Sequence, residues 1–544
     1  MAEHMRGAEI VMARLRAHGV PQVFTLSGNH IMSLFDAAKD EGPRLIHTRH
    51  EAAAVHMADA YGRLTGKPGV ALVTGGPGHA NGAAALFTAL GADSPLVLLS
   101  GHAPTTEIGR GAFQEFDQAA MARPVTKDAW MVESIETLED EIDSAMALAA
   151  SGRPGPVALS LPSDIMEADG PAASTSPPKV PRTAAVDLSD DAFSAAIAWI
   201  KEAKRPILIG GPRFCQPALR PGLFAAADAL AIPAVIQESP RGMNDPSLGA
   251  FAEVLSEADV IILAGKALDF TLKFGAAPHV AEDARVVAFD PDVAQRTLAT
   301  NAKGDLALTF DTDPVKAVAA MAETPDLAKG RDPTWVKAVS DAVTYRPDAW
   351  AGPQTAASGR LHPLDLTRAV APILDRHSDA VLIMDGGEIG QWAQATLSAG
   401  RRITNSVSGS IGASLPFALA ARTIDTDAPV IAIMGDGTVG FHLAEFETAV
   451  REQTPFVVIV GNDAQWNAEV QLQVRAYGEA RVFGCDMLQG VRYDTVMETF
   501  GGFGAYVTDA ADLPEALDAA LASGKPACIN VELDGRAAPV VRRG

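Results

Sequence analysis

The chain has 544 residues, of which 48% are hydrophobic and 20% are charged, and this composition excludes a disordered, collagenous or mostly coiled-coil protein. Its 67 acidic residues outnumber its 44 basic ones. The resulting formal net charge of −23 disfavours nucleic acids and membranes as partners, because their phosphates would be repelled. A chain of this length is expected to form about three or four domains.

The three cysteines, Cys215, Cys485 and Cys528, are far apart and form no CxxC pair. Their number and spacing disfavour a disulfide framework or a zinc site. The N-terminus shows no signal-peptide pattern, and no stretch approaches the roughly 18 apolar residues of a membrane span. We therefore expect a cytoplasmic protein that acts on small molecules.

Short apolar runs alternate with segments of helical period, which predicts parallel sheets assembled from βαβ units. The first set of these elements forms an N-terminal domain over residues 1–165. Its predicted strands are Gln22–Leu26, Leu45–Ile46, Gly69–Thr74, Pro95–Leu99 and one within Gly152–Pro162. Helices are predicted over Ala52–Leu64 and Ala80–Leu90.

Segments rich in proline and small residues predict linkers over 166–187 and 331–360. They bound a central domain, 188–330, and a C-terminal domain, 361–544. The strands predicted in the central domain are Pro206–Ile209, Ala234–Gln237, Val260–Ala264 and Arg285–Phe289. Those predicted in the C-terminal domain are Val381–Met384, Val430–Met434, Phe456–Val460 and Ala527–Val531. The predicted fold class is α/β with three Rossmann-like parallel-sheet domains, and the similar size of the outer two hints at a duplication.

The strongest motif lies within residues 429–469. One apolar strand ends in GDG at 435–437, and the next strand, one helix later, ends in GND at 461–463. Asp436 and Asp463 are 27 residues apart, one βαβ crossover, so both are expected at carboxyl ends of strands, where α/β proteins bind ligands. Carboxylates with nearby carbonyls suit Mg²⁺, and a helix start offers N–H groups to a phosphate. The motif therefore predicts a metal–diphosphate site.

This motif resembles the thiamine-diphosphate signature, in which GDG is followed by asparagines after one crossover. The resemblance implies that Asp436, Asp463 and the backbone carbonyl of Gln465 hold Mg²⁺. Asp463 stands where the family usually has its second Asn, which adds negative charge beside the diphosphate. The residues that the resemblance assigns to cofactor binding are Pro77, Asn81, Gly386, Gly387, Ser410, Ile411, Gly435, Gly437, Thr438 and Trp466. The role implied for Ile411 is to support the cofactor in its bent shape.

The N-terminal domain carries three further motifs of this family. Glu51 follows the strand Leu45–Ile46 and opens a helix, and the family's Glu here hydrogen-bonds the aminopyrimidine nitrogen and promotes loss of the thiazolium C2 proton. The sequence TGGPGHAN at 74–81 resembles the turn that lies against the pyrimidine ring. The sequence GAFQE at 111–115 resembles acetohydroxyacid synthase and benzaldehyde lyase, in which the residue matching Gln114 points an amide into the active site.

The resemblance implies an enzyme that makes or breaks carbon–carbon bonds through a C2 carbanion or enamine. His30 resembles an acid/base His of benzaldehyde lyase, and with Gln114 and Glu51 it favours a lyase or carboligase of 2-hydroxyketones or aldehydes. Acetolactate synthases lack this His but share the RHE, AFQE and GRPGPV stretches, so decarboxylation of a 2-oxo acid such as pyruvate, with ligation, is the alternative. Gly390 and Asn405 replace a large aromatic and a His of benzaldehyde lyase, so its aromatic pocket is not copied.

A further alternative is a 2-hydroxyacyl-CoA lyase or oxalyl-CoA decarboxylase, which residues 265–270 resemble. FAD or ADP binds in relatives where this chain has Gly210–Pro212 and Asp290–Asp292; such a nucleotide is possible here but not expected. The non-enzyme alternative is a catalytically silent cofactor-binding homologue, supported only by the altered Asp463. Because the family's active sites lie between subunits, the resemblance implies a homodimer or homotetramer.

Overall fold

The computed structural model describes residues 4–174, 176, 191–354 and 359–543. They divide into two compact units. The first draws on Met1–Thr183, Leu419–Ile424 and His442–Glu452, and the second on the intervening and remaining segments. In the described part of the chain, no helix combines the length and the apolar character needed to cross a bilayer.

The N-terminal part contains a six-stranded parallel sheet with helices packed on it. The eight strands of this part of the chain, six of which form the sheet, are β1 (His4–Arg6), β2 (Gln22–Thr25), β3 (Arg44–His47), β4 (Gly69–Val73), β5 (Leu96–His102), β6 (Asp128–Met131), β7 (Pro156–Pro162) and β8 (Asp169–Pro171). Its helices are α1 (Gly7–Ala17), α2 (Met32–Glu41), α3 (Glu51–Thr65), α4 (Pro77–Leu90), α5 (Gln118–Ala122), α6 (Leu138–Ala150) and α7 (Ser163–Glu167). The strand order is β3-β2-β4-β5-β7-β6, while β1 and β8 form a separate antiparallel pair.

The central part contains a five-stranded parallel sheet in the order β10-β9-β11-β12-β13. Its strands are β9 (Pro206–Gly210), β10 (Ala234–Ile236), β11 (Val260–Ala264), β12 (Arg285–Phe289) and β13 (Ala307–Phe310). Its helices are α8 (Ser194–Glu202), α9 (Arg220–Leu230), α10 (Phe251–Leu255), α11 (Val293–Lys303), α12 (Pro314–Glu323) and α13 (Pro333–Thr344).

The C-terminal part contains a second six-stranded parallel sheet, in the order β15-β14-β16-β17-β19-β18. Its strands are β14 (Val381–Met384), β15 (Arg401–Thr404), β16 (Val430–Gly435), β17 (Val457–Asn462), β18 (Phe503–Val507) and β19 (Ala527–Glu532). Its helices are α14 (Pro363–Arg376), α15 (Gly387–Thr396), α16 (Ser414–Ile424), α17 (Asp436–Val439), α18 (Glu445–Arg451), α19 (Asn467–Tyr477), α20 (Tyr493–Thr499) and α21 (Leu513–Ala522).

The predicted fold class is confirmed, since three parallel sheets carry helices between their strands. Each predicted strand overlaps an observed one, and Val260–Ala264, Arg285–Phe289 and Val381–Met384 match at both ends. These strands are buried on both faces and therefore read as continuous apolar runs. The prediction missed the short pair β1 and β8, and it missed β6, β13, β15 and β18, which lie at sheet edges and are partly exposed.

The domain boundaries stay a prediction, and residues 175 and 177–187 of the first predicted linker lie outside the described part. The second predicted linker, 331–360, contains α13. Helix α13 is amphipathic, and its Trp335, Val339 and Ala342 are buried in the core of the central sheet. The aspartate that precedes it, Asp332, caps the helix by accepting a hydrogen bond from the Thr334 N–H at 2.9 Å.

Candidate active site

A small pocket of about 90 Å³ lies at the carboxyl ends of the C-terminal strands. It is enclosed by the loops that follow β14, β16 and β17, because parallel strands all end at one edge of their sheet. The predicted residues that line it are Gly386, Gly387, Ile411, Gly435, Asp436, Gly437, Thr438, Asp463, Gln465 and Trp466. Ser410 is next to Ile411 but outside this lining, and its hydroxyl accepts a hydrogen bond from the Ser408 hydroxyl at 3.2 Å.

Asp436 and Asp463 both line this pocket, and the negative charge of Asp436 acts on Asp463. Asp436 opens α17 directly after β16, and burial raises its pKa to about 6. Burial, followed by the negative charge of Asp436, raises the pKa of Asp463 to about 7. A bound cation would remove this repulsion, since two carboxylates with a nearby carbonyl are oxygen ligands of the kind that Mg²⁺ prefers. The described residues hold no group of three or more His, Cys, Asp or Glu that could bind a metal, so the remaining ligands would come from a carbonyl and the diphosphate.

Glycines allow the pocket walls to approach one another. A Cβ atom at Gly437 would lie 2.6 Å from the ring of Trp466, and one at Gly386 would lie 2.6 Å from Cγ2 of Ile411. The Trp466 ring also makes an edge-on contact with Phe441, at 6.5 Å between ring centroids. Any side chain at either glycine would therefore displace a residue that the resemblance assigns to the cofactor.

Asp385 ties the loop after β14 to the segment that carries Ile411. Its carboxylate accepts hydrogen bonds from the N–H groups of Gly386 at 2.7 Å, Gly412 at 3.0 Å and Ser414 at 3.2 Å. Burial raises the pKa of Asp385, and the three N–H groups oppose that rise. The loop and the Ile411 segment thus hold a fixed geometry. The sequence analysis assigned Gly386, Gly387 and Ile411 to the cofactor and gave the Asp385 side chain no role.

Tyr493 is a second residue that the sequence analysis missed. Its hydroxyl donates a hydrogen bond to the backbone carbonyl of Asp436 at 3.4 Å, and it is buried. Burial, with the charge of Asp436 as a further cause, raises the pKa of Tyr493 to about 12, so it stays a donor. It belongs to no motif and follows Asp436 by 57 positions, so no local signal could have identified it.

The first unit assembles the predicted catalytic acid. Glu51 begins α3, and the imidazole of His50 caps that helix by accepting a hydrogen bond from the Ala52 N–H at 3.1 Å. The Glu51 carboxylate is buried, and its Oε2 accepts a hydrogen bond from Nδ2 of Asn81 at 3.0 Å. Asn81 lies in α4, which starts at Pro77 with the helix-compatible φ that proline imposes. The structure therefore brings together three residues that the sequence analysis assigned to this part of the site: Glu51, Pro77 and Asn81.

Thr74 connects Glu51 to His30. A Cβ atom at Gly78 would lie 2.7 Å from Cγ2 of Thr74 and 3.4 Å from Oε1 of Glu51, so both side chains adjoin the same turn. The Thr74 hydroxyl lies 3.3 Å from Nδ1 of His30, which is itself buried. Thr74 was quoted in the sequence motif without a role, and the structure shows it as the direct neighbour of His30.

The surroundings of His30 favour its neutral form. Burial lowers its pKa, as does the nearby His102, and a hydrogen bond with the Phe113 backbone opposes the shift. The imidazole also stacks on the Phe113 ring at 5.9 Å between centroids. A neutral imidazole can accept a proton at one nitrogen and donate one from the other, which is the property of a general acid/base.

Gln114 packs directly on the turn that precedes Pro77. A Cβ atom at Gly76 would lie 2.5 Å from Cβ of Gln114, and Gln114 itself has a positive φ of 60°. The loop that carries it is held by Glu115, whose carboxylate accepts hydrogen bonds from the N–H groups of Gly109 and Ala112. Thus His30, Glu51 and Gln114 all adjoin the turn over residues 74–78.

The strand ends of the central sheet are occupied by contacts within the chain. A Cβ atom at Gly211 would lie 2.0 Å from the Gly265 carbonyl, and the ammonium of Lys266 lies 3.2 Å from Asp269. Asp292 caps α11 by accepting a hydrogen bond from the Ala294 N–H at 2.8 Å. That no FAD or ADP binds at these strand ends stays a prediction.

Comparison with known proteins assigns the chain to a family. The N-terminal TPP binding domain of thiamine pyrophosphate enzymes matches residues 5–121, and the C-terminal TPP binding domain matches residues 385–531. The acetolactate synthase large subunit IlvG of Mycobacterium tuberculosis is 32% identical over 98% of this chain and 96% of its own length. The 2-hydroxyacyl-CoA lyase 2 of Caenorhabditis elegans is 30% identical over 96% of this chain and 89% of its own, and the human 2-hydroxyacyl-CoA lyase 2 is 32% identical over 87% and 81%. The chain therefore belongs to the thiamine pyrophosphate enzymes, in the group that includes acetolactate synthases and 2-hydroxyacyl-CoA lyases.

Proposed function

We propose that this enzyme is a carbon–carbon lyase and carboligase that acts on 2-hydroxyketones or aldehydes. The observation that carries the proposal is the buried His30, which contacts Thr74 on the turn that also adjoins Glu51. A lyase of this kind must remove the proton of a substrate hydroxyl, and a neutral imidazole is suited to that step. When bound, thiamine diphosphate supplies the electron sink for cleavage next to a carbonyl.

The C-terminal pocket is proposed to hold the cofactor and its metal. Asp436, Asp463 and the carbonyl of Gln465 would bind Mg²⁺, which supports the diphosphate. The two buried carboxylates with raised pKa values and the side-chain-free walls at Gly386 and Gly437 are the observations that fit this group. Ile411 and Trp466 would support the organic part.

The N-terminal cluster is proposed to handle protons. Asn81 donates to Oε2 of Glu51, so Oε1 is the atom proposed to hydrogen-bond the aminopyrimidine ring. His30 would exchange a proton with the substrate hydroxyl, and Gln114 would offer its amide to a substrate oxygen. These roles divide proton transfer between a carboxyl group and an imidazole.

A second candidate, favoured by the names of the relatives, is decarboxylation of a 2-oxo acid with ligation, as in an acetolactate synthase; cleavage of a 2-hydroxyacyl-CoA thioester is a third. The test supplies purified enzyme, thiamine diphosphate and Mg²⁺ with acetoin or benzoin, with pyruvate, or with a 2-hydroxyacyl-CoA. Aldehyde release from a hydroxyketone that falls in His30→Ala supports the proposal. Robust CO2 release from pyruvate, unaffected in His30→Ala, would overturn the proposal in favour of the acetolactate-synthase reaction. Turnover of the thioester alone would replace it with the third.

We further propose that active sites are shared between two copies of the chain, in a dimer or tetramer. Glu51 belongs to the first unit and Asp436 to the second. Mixing Glu51→Gln and Asp436→Ala variants tests this proposal, because a mixed dimer with shared sites regains one intact site. If sites were formed within single chains, the mixture would stay inactive.

The three cysteines are free, which supports a reducing compartment such as the cytoplasm.

A further inference from the structure

A cavity of about 720 Å³ within the second unit is separate from every candidate catalytic or cofactor residue. It lies beside the edge strand β10, and its walls come from α9, α14, the end of α15 and residues 343–351. Ligand-binding cavities in proteins commonly measure roughly 300–1,000 Å³, so this one is large enough for a small organic molecule.

Among the residues that line this cavity, three polar atoms are buried and have no hydrogen-bond partner in the described part of the chain. They are Oε1 of Gln394, Nη1 of Arg220 and Oγ of Ser247. Gln394 is only 4% exposed. Buried polar atoms without partners are costly and uncommon, so three of them around one cavity indicate that something else satisfies them.

Four arginines and one aspartate line the cavity, and Glu238, Asp245 and Asp365 are further carboxylates near these arginines. Arg402 forms an ion pair with Glu238 at 2.6 Å. Arg346 instead donates to backbone carbonyls, including that of Tyr345 at 2.7 Å and that of Ser247 at 3.1 Å. Burial lowers the pKa of Arg220, as does the charge of Arg402, while the charge of Glu238 opposes the shift. At the rim, Arg368 is paired with Asp365 and Asp348 is exposed.

Apolar side chains form much of the remaining lining. The Arg220 guanidinium lies 5.6 Å from the centroid of the Phe224 ring, and Val235, Trp350 and Leu364 are among the other apolar lining residues. A guanidinium next to an aromatic ring and apolar walls offers one place for an anionic head and another for an apolar body.

We propose that this cavity binds a small organic anion. Its carboxylate or phosphate head would pair with Arg220, a polar group would meet Gln394 or Ser247, and its apolar body would pack on Phe224 and Trp350. The ligand would be distinct from the substrate and from thiamine diphosphate, and the proposal does not depend on the reaction that the enzyme catalyses.

Titration calorimetry of the enzyme saturated with thiamine diphosphate and Mg²⁺ tests the proposal. Saturation matters because α15 runs from the cofactor pocket at Gly387 to the cavity at Gln394, so changes in cofactor occupancy could imitate binding. The probes are phenyl phosphate, benzoate and inorganic phosphate, with benzyl alcohol as the neutral counterpart. We expect saturable binding of phenyl phosphate or benzoate, whose relative affinities identify the preferred head group, and none of benzyl alcohol.

Substitutions locate the binding. In Arg220→Gln the affinity should fall about tenfold or more, the value of one charge-assisted hydrogen bond, while Arg220→Lys keeps part of it. Arg296→Gln is the matched control, because Arg296 lies at the strand ends of the central sheet and outside the cavity. An unchanged thermal unfolding temperature shows that Arg220→Gln is folded, and Arg220→Lys provides the comparison if it is not. Absence of saturable binding, equal affinity in Arg220→Gln, or an equal loss in Arg296→Gln would overturn the proposal.

Discussion

The N-terminal and C-terminal sheets have the same topology but present different chemistry. If the strands of each sheet are numbered along the chain, without the short pair β1 and β8, both orders are 2-1-3-4-6-5, whereas the central sheet has the order 2-1-3-4-5. The third strand of the N-terminal sheet leads into Thr74, and that of the C-terminal sheet leads into Asp436. The similarity in size that hinted at a duplication is thus accompanied by a shared strand order.

The comparison shows that topology supplies a position while the side chain at the strand end decides its use. In the N-terminal sheet, the turn after the third strand adjoins His30, Glu51 and Gln114, which are groups suited to proton transfer and hydrogen bonding. In the C-terminal sheet, the equivalent turn pairs Asp436 with Asp463, which suits a cation. One scaffold therefore carries two different chemistries, as expected when function resides in sites rather than in folds.

The largest expected effect tests whether Glu51 serves proton transfer more than cofactor affinity. Glu51→Gln should lower turnover by about 10²–10⁴-fold, because the amide cannot exchange a proton. Cofactor binding, followed by calorimetry, should stay within a few-fold of the original. Glu107→Gln, at an exposed position, is the control. If Glu51→Gln abolished cofactor binding as well, the loss of turnover could not be assigned to proton transfer, and the proposed role of Glu51 would fail.

The reciprocal change tests the C-terminal sheet. Asp436→Ala removes one of the two carboxylates among the proposed Mg²⁺ ligands, so cofactor affinity in the presence of Mg²⁺ should fall by about 100-fold. Equilibrium dialysis with and without Mg²⁺ measures the loss, and circular dichroism verifies folding. Retention of Mg²⁺-dependent binding in this variant would contradict the proposed metal site.

A smaller effect is expected at the turn that links the two catalytic groups of the N-terminal sheet. Thr74→Val removes the hydroxyl next to His30 while keeping the shape, so turnover should fall by about tenfold. Because Thr74 acts through His30, the double variant with His30→Ala should be no slower than His30→Ala alone. Additive losses would show that Thr74 acts by another route.

The smallest effect concerns the altered ligand position. The pKa of Asp463 is raised to about 7 in the folded protein, against roughly 3.9 for an unfolded chain. In the metal-free folded form, Asp463 therefore binds a proton more tightly than it does in the unfolded chain. Its contribution to the free energy of unfolding rises as the pH falls from about 7 to 4 and is lowest above pH 7.

Asp463→Asn removes this repulsion, so the metal-free variant should unfold about 2–4 °C higher than the original at pH 8. The difference should shrink at pH 5, where the original aspartate is protonated. Thermal unfolding at both pH values provides the measurement, with Asp427→Asn at an exposed position as the control. A difference of equal size at both pH values would show that charge is not the cause.

The sequence was sufficient for the α/β class, the interior strands and the two acidic strand ends, because these depend on local patterns. An apolar run such as Val260–Ala264 is continuous since both faces of the strand are buried. The separation of Asp436 from Asp463 follows from the length of a single crossover. Glycines such as Gly437 could be recognised because the residue type itself permits close approach.

Other features depend on contacts between residues that are distant in the sequence. Edge strands such as β15 are partly exposed and lack a distinctive pattern. Thr74 reaches His30 across 44 positions because separate strands end at the same edge of a sheet. Tyr493, at the start of α20, reaches the Asp436 carbonyl only through tertiary packing. The cavity at Arg220 and Gln394 is formed by helices and a strand that meet only after folding. Packing brings such groups together through burial and hydrogen bonding, and these interactions leave no local signal in the order of the residues.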